Sequence, residues 1–175
     1  AAEGKAQEAL IKRAATRILN GKLMAAFVTW RDRAAEARRQ AFCLSGAIKR
    51  MLMRQLSAAF EKWQMLAQEG NSIAQFNLGL MYDKGDGVRQ SFPKAVKWYR
   101  KAAKQENASA QFNLGLMYYK GEGVAIDYKK ALKWFLYSAR QGNAGAQFNL
   151  GWIFDKGKGV TPNYKRAIKW YRLAA

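Results

Sequence analysis

The chain of 175 residues contains no histidine. That removes the commonest general base and the commonest metal ligand at neutral pH. It has a single cysteine, Cys43. No disulfide can close within the chain, and a thiolate zinc site of the usual kind is excluded. Cys43 sits in the apolar run Ala41-Phe42-Cys43-Leu44 and reads as a small buried hydrophobe. Such cysteine usage favours a reducing compartment, cytoplasmic or cytoskeleton-associated. Proline occurs only at Pro93 and Pro162. The remainder is rich in Ala, Leu, Lys, Arg, Gln and Met, a composition that predicts an all-α fold. No hydrophobic run reaches membrane-spanning length, and the amino end shows no signal-peptide pattern. The chain opens at Ala1 and stops at Ala175 within a helical pattern, so the expectation is a piece of a longer protein.

Acidic residues are also scarce: 12 stand against 31 Lys and Arg, a net charge of +19. Residues 1–70 carry 13 basic and 6 acidic side chains, and residues 71–175 carry 18 and 6. Both parts therefore attract acidic partners: nucleic acid, an anionic membrane surface or an acidic protein. The scattered acids make no metal site. Asp83-Lys84-Gly85-Asp86-Gly87 faintly resembles a calcium loop, but it lacks the third acid and its twelfth position is Lys94. No catalytic residue, metal or cofactor is expected.

What is present is repetition. Ala74-Gln75-Phe76-Asn77-Leu78-Gly79 returns as Ala110 to Gly115 and again as Ala146 to Gly151, at intervals of 36 residues. Lys84-Gly85-Asp86-Gly87-Val88 returns at Lys120 and Lys156, and Lys97-Trp98-Tyr99 at Lys133 and Lys169. Each unit reads as helix, glycine loop, helix. Ala74, Leu78 and Tyr82 share one face of the first helix. A mid-helix glycine at one register (Gly79, Gly115, Gly151) suggests close helix packing. The second helix opens at Ser91, Asp127 or Asn163, all good N-caps. Ala95, Trp98 and Ala102 and their equivalents give its buried face, so the Trp series reads as core. Asn107-Ala108-Ser109 fits a glycosylation acceptor but falls at a helix start, where coincidence is the better explanation.

These residues resemble the Sel-one-like repeat, a relative of the tetratricopeptide repeat, over 71–106, 107–142 and 143–175. The resemblance implies a right-handed α-solenoid that displays a concave surface and assembles other proteins without catalysis. Asn77, Met81 and Lys84 stand at i, i+4, i+7 on the first helix. Asn113, Met117, Lys120 and Asn149, Ile153, Lys156 repeat the row. Stacking predicts an asparagine ladder beside a lysine column: asparagine to hold a peptide backbone, lysine to meet its acids. The alternative is a tied loop and a solvated lysine. The lysines and arginines of the second helices read as a solvated outer face or as an RNA-binding face.

Residues 1–70 lack the glycine loops and carry a weaker repeat of 33 residues. Leu23, Phe27 and Trp30 match Leu56, Phe60 and Trp63 and make an apolar stripe on a basic helix. The pattern resembles the centrin-binding repeats of the Sfi-one family. That resemblance implies one long or kinked helix gripped by a centrin or calmodulin-like protein, with Phe27/Trp30 and Phe60/Trp63 as anchors. A competing register, shifted by 36 residues, places Trp63 on Tyr99 and Ala67 on Ala103. Gln55–Glu69 would then dock on the first solenoid helix as a surrogate second helix.

Overall fold

A computed structural model describes residues 60–86 and 88–175, together with Gly21, Lys22, Ala25, Val28, Thr29, Asp32, Arg33 and Glu36. The chain divides into two compact units, Ala1–Lys62 and Trp63–Ala175. In the first unit those eight positions are helical and exposed. Thr29 Oγ1 donates to the Ala25 carbonyl at 2.9 Å. Leu23, Phe27, Trp30, Cys43 and Leu56 lie outside the described residues, as does Gly87.

The second unit is helical among its described residues. After helical residues 63–68 come α1 (Ser72–Lys84), α2 (Phe92–Lys104), α3 (Ala108–Lys120), α4 (Tyr128–Arg140), α5 (Ala144–Lys156) and α6 (Tyr164–Ala174). They pair as the hairpins α1–α2, α3–α4 and α5–α6, and each second helix also packs on the first helix of the next unit. The result is an α-solenoid.

Local chemistry sets the helix ends. Asn71, Asn107 and Asn143 accept from the amides of Ala74, Ala110 and Ala146, each at 2.9 Å. Asn107 therefore caps a helix, which explains the asparagine of the glycosylation-like triplet. Gly85, Gly121 and Gly157 close the first helices in the left-handed conformation, where a Cβ would be strained. Asp127 and Asn163 cap α4 and α6 through their side chains, as expected. Ser91 does not. It holds the N-cap backbone geometry of α2 without a side-chain bond, and Pro93 presets the first turn instead.

Ala74, Leu78 and Tyr82 are buried with their equivalents. The second-helix core needs correction. Trp98, Trp134 and Trp170 are only half-buried. The neighbouring ring goes inside: Tyr99 and Phe135 are fully buried. The mid-helix glycines explain the choice. A Cβ on Gly79, Gly115 or Gly151 would lie 2.5, 2.7 or 2.6 Å from Cδ1 of Tyr99, Phe135 or Tyr171. Each glycine is thus a seat for an aromatic ring rather than a crossing of two backbones. A phenylalanine three residues earlier flanks the seat, with ring centroids 5.9, 6.0 and 5.5 Å apart.

The competing register for residues 60–68 is the one adopted. Trp63 and Ala67 are buried. Gln75 Nε2 donates to the Ala67 carbonyl at 2.9 Å, just as Gln111 and Gln147 donate to Ala103 and Ala139 at 3.2 Å. Residues 63–68 therefore stand in for a preceding second helix. Trp63, expected as a partner-helix anchor, is spent on this core. Phe60 is helical and half-buried. The glutamines also link to one another: Gln105 donates to Gln75, and Gln141 to Gln111, each at 2.8 Å. The buried bonds to the Ala67, Ala103 and Ala139 carbonyls tie each unit to the one before it, and the part-buried Gln–Gln bonds tie the two helices within a unit. This linkage was visible in the sequence only as the second residue of the repeated hexapeptide.

Candidate functional site

Direct contact between α1 and α3 makes the first helices the inner layer, so their outward positions line the face on which a ligand can lie. The expected rows do not stay together there. Met81, Met117 and Ile153 are core residues, and Asn77 is fully buried. Asn113 and Asn149 are half-buried, while Lys84, Lys120 and Lys156 are exposed. Lys120 lies 3.8 Å from Glu122 and Lys156 2.9 Å from Asp155. The asparagine–methionine ladder is mostly turned inward, because one stripe of a helix packed on two neighbours faces the core for two of its three turns and clears it only at the end.

The asparagines differ according to the ring supplied by the preceding second helix. The Asn113 side chain lies by the Tyr99 phenol and offsets part of the rise that burial gives it. Phe135 has no hydroxyl, and Asn149 Nδ2 donates to the Gly145 carbonyl at 2.8 Å instead. At the corresponding place before Asn77 stands Trp63, which also brings no hydroxyl, and both side-chain polar atoms of Asn77 lack a partner.

The residues that do line the inner face sit one position over. Leu80 and Leu116 are half-buried and Trp152, their equivalent, is 41% exposed. Trp152 Nε1 donates to the Tyr119 hydroxyl at 3.1 Å, and the Lys156 ammonium lies 5.2 Å from the indole centroid. Tyr119 meets Tyr128 edge-on at 5.4 Å. An aromatic shelf thus adjoins the lysine column. Sequence reasoning missed it because Leu, Leu and Trp at one register do not look like a repeated site.

Beside the shelf, α1, its loop, α3 and the loop after α3 border an open cleft of about 380 Å³ lined by Asp83, Lys84, Gln90, Asn113, Lys120 and Glu122. Tyr99 donates its hydroxyl to Asp83 Oδ2 at 3.2 Å, and Gln90 Nε2 donates to the Asp83 carbonyl at 2.7 Å. Burial raises the Asp83 carboxyl above its usual range, and Glu122 adds to this, while the Tyr99 hydrogen bond and Lys84 and Lys120 pull it back. Burial, then the charge of Asp83, raises the Tyr99 phenol. Among the described residues no cluster of metal-ligating side chains occurs.

A raised carboxyl destabilises the fold when it is charged. Its contribution is complete below the ordinary value of 3.8 and is lost as pH rises through the raised one. Asp83→Asn keeps an acceptor for Tyr99 and never ionises. It should melt like the parent near pH 3 to 4 and above it at neutral pH, a gap that thermal melts at a series of pH values would read. A gap that shrinks with rising pH would contradict the assignment.

The sequence model described as "Sel1 repeat" matches residues 72–107, 108–143 and 144–175. Among solved structures, a protective antigen of uropathogenic Escherichia coli strains that displays an SLR fold is 40% identical, with a TM-score of 0.65 over 66% of this chain and 25% of that one. A Sel1 repeat protein from Oxalobacter formigenes is 39% identical, with a TM-score of 0.61 over 71% of this chain and 54% of that one. The chain therefore spans a quarter and about half of these relatives. Among curated proteins nothing matches.

Proposed function

Because the chain belongs to the Sel1 repeat family, whose fold implies a protein–protein interaction scaffold, we propose that its solenoid is a non-catalytic holder for an extended acidic peptide on the first-helix face. The observation that carries this reading is the column of exposed Lys84, Lys120 and Lys156 beside the Trp152–Tyr119 shelf. The lysines are 36 residues apart in sequence, yet packed helices bring neighbours to about 8–10 Å. An extended chain advances about 3.3 Å per residue. Acids at every third position of a peptide would therefore meet successive lysines, and an aromatic side chain would lie on Trp152.

The test is a calorimetric titration with a peptide bearing glutamate at every third position and one aromatic residue. Lys120→Glu and Trp152→Ala should each weaken binding by about tenfold, the scale of a hot-spot residue. Unchanged affinity in both would sink the reading, and equal variant-sensitive binding of a uridine oligonucleotide would move the assignment to RNA.

For the amino-terminal unit we propose recruitment of a centrin or calmodulin-like protein by Leu23, Phe27 and Trp30. The exposed helical stripe Ala25, Thr29, Asp32 and Glu36 supports a helix in this segment. The same titration, run with centrin and calmodulin with and without calcium on the full chain and on Phe27→Ala/Trp30→Ala, decides it. No binding, or binding that the double variant retains, would end that proposal.

A further inference from the structure

The second-helix side of the solenoid offers the same place in two successive units, and the two differ. In the earlier unit one polar link crosses the place, and two contacts local to α4 border it. Arg100 Nη2 donates to the Tyr118 hydroxyl at 3.0 Å. Tyr137 stands edge-on to Trp134 at 5.8 Å. Lys130 pairs with Asp127 at 2.9 Å. One unit on, none of these contacts can form, because Leu136 replaces Arg100, Phe154 replaces Tyr118, Leu173 replaces Tyr137 and Asn163 replaces Asp127. The outcome is a groove of about 790 Å³ between α4 and α6. It is lined by Leu132, Leu136, Phe154, Trp170 and Leu173 and edged by Arg166 and Lys169.

Replacing the Arg100–Tyr118 link by Leu136 and Phe154 removes a polar bridge between two helices and leaves an apolar lining. Leu173 is exposed, but so is Tyr137 at the same place in the earlier unit, where a further unit follows it. Exposure at this register thus belongs to the second-helix side generally. The edge is cationic without compensation. Arg166 lies 5.6 Å from the Phe154 ring centroid, and among the described residues no ion pair joins it, whereas its counterpart Lys130 has one.

From this groove we infer a second docking site, for an acidic amphipathic helix of a partner protein. Leu132 and Leu136 stand at i, i+4 on α4; Arg166, Trp170 and Leu173 stand at i, i+4, i+7 on α6. The walls therefore run for about 6 Å along α4 and about 10 Å along α6, one turn and two. A helix laid between them would place apolar anchors at i, i+3 or i+4, and i+7 in the slot. Its flanking acids would meet Arg166 and Lys169, which a basic or neutral ligand could not satisfy. This site lies apart from the first-helix face and stands whether or not that face binds a peptide.

The probe is a 15-residue helical peptide with leucines confined to one face and glutamates elsewhere, followed by fluorescence anisotropy against the full chain. Leu136→Arg/Phe154→Tyr rebuilds the Arg–Tyr pair that the preceding unit already tolerates, and should weaken binding by about tenfold or more. The exposed pair Arg166→Glu/Lys169→Glu should do the same without touching the core, and serves if the first variant melts early. Lys120→Glu on the other face should leave this binding unchanged. Equal affinity for the parent and both groove variants would overturn the proposal. So would equal affinity for a peptide of the same composition with its leucines scattered round the helix, or a groove-dependent preference for a uridine oligonucleotide.

Discussion

Phe135→Ala is expected to cost the solenoid about 3–5 kcal/mol, the range for emptying a buried aromatic site. Phe135 is fully buried. It lies on Gly115 with Phe112 at its side, at the centre of the middle unit. The informative experiment is the pair with Gly115→Ala, read by urea unfolding. In an exposed helix interior, glycine to alanine gains about 1 kcal/mol. Here the new methyl would stand 2.7 Å from two ring carbons of Phe135, and overpacking of this kind costs about 1–3 kcal/mol. Alone, Gly115→Ala should therefore destabilise. With Phe135 already truncated, the methyl enters vacated space and only the helix preference remains, so the same substitution should stabilise. Ring and glycine in contact should couple by about 0.5–3 kcal/mol. The same sign in both backgrounds would mean that the glycine has another reason.

Gly123→Ala is the second large effect. Its φ is +72°, and a Cβ there would lie 2.5 Å from the Phe92 carbonyl carbon and 2.7 Å from the Pro93 nitrogen. Both are backbone atoms at the start of α2, so no rotamer change relieves the overlap. The left-handed conformation alone costs about 1–2 kcal/mol for a residue with a side chain. Gly142 gives the comparison: φ is +84° with nothing within 4 Å. Gly142→Ala should pay only the backbone term, and Gly123→Ala should lose more by about 1–3 kcal/mol of overpacking. Equal losses in thermal melts would show that the loop does not rest on the preceding unit.

The helix boundaries, the loops and the three-fold repetition could be read from the residues because each is settled within a few positions. An asparagine reaches an amide three residues on, and a glycine takes a left-handed turn by itself. The exposure of Lys84, Lys120 and Lys156 was also legible, since they end their helices and clear the core whatever packs beside them. Trp98 against Tyr99 could not be decided in the same way. Ala95, Trp98 and Ala102 fit one helical face, and so do Ala95, Tyr99 and Ala102. Periodicity within a helix allows both.

The 36-residue period and the character of each helix were therefore determined by sequence alone, through contacts between near neighbours on the chain. Tertiary structure decided which ring fills which gap. Gly79 admits Tyr99 from 20 residues away along the sequence, Trp63 enters the core as a surrogate for an earlier unit's aromatic, and Leu136 and Phe154 together open a groove that neither residue announces. The physical reason is the same in each case. A helix fixes the directions of its own side chains, but burial is set by the surface that another helix brings against them.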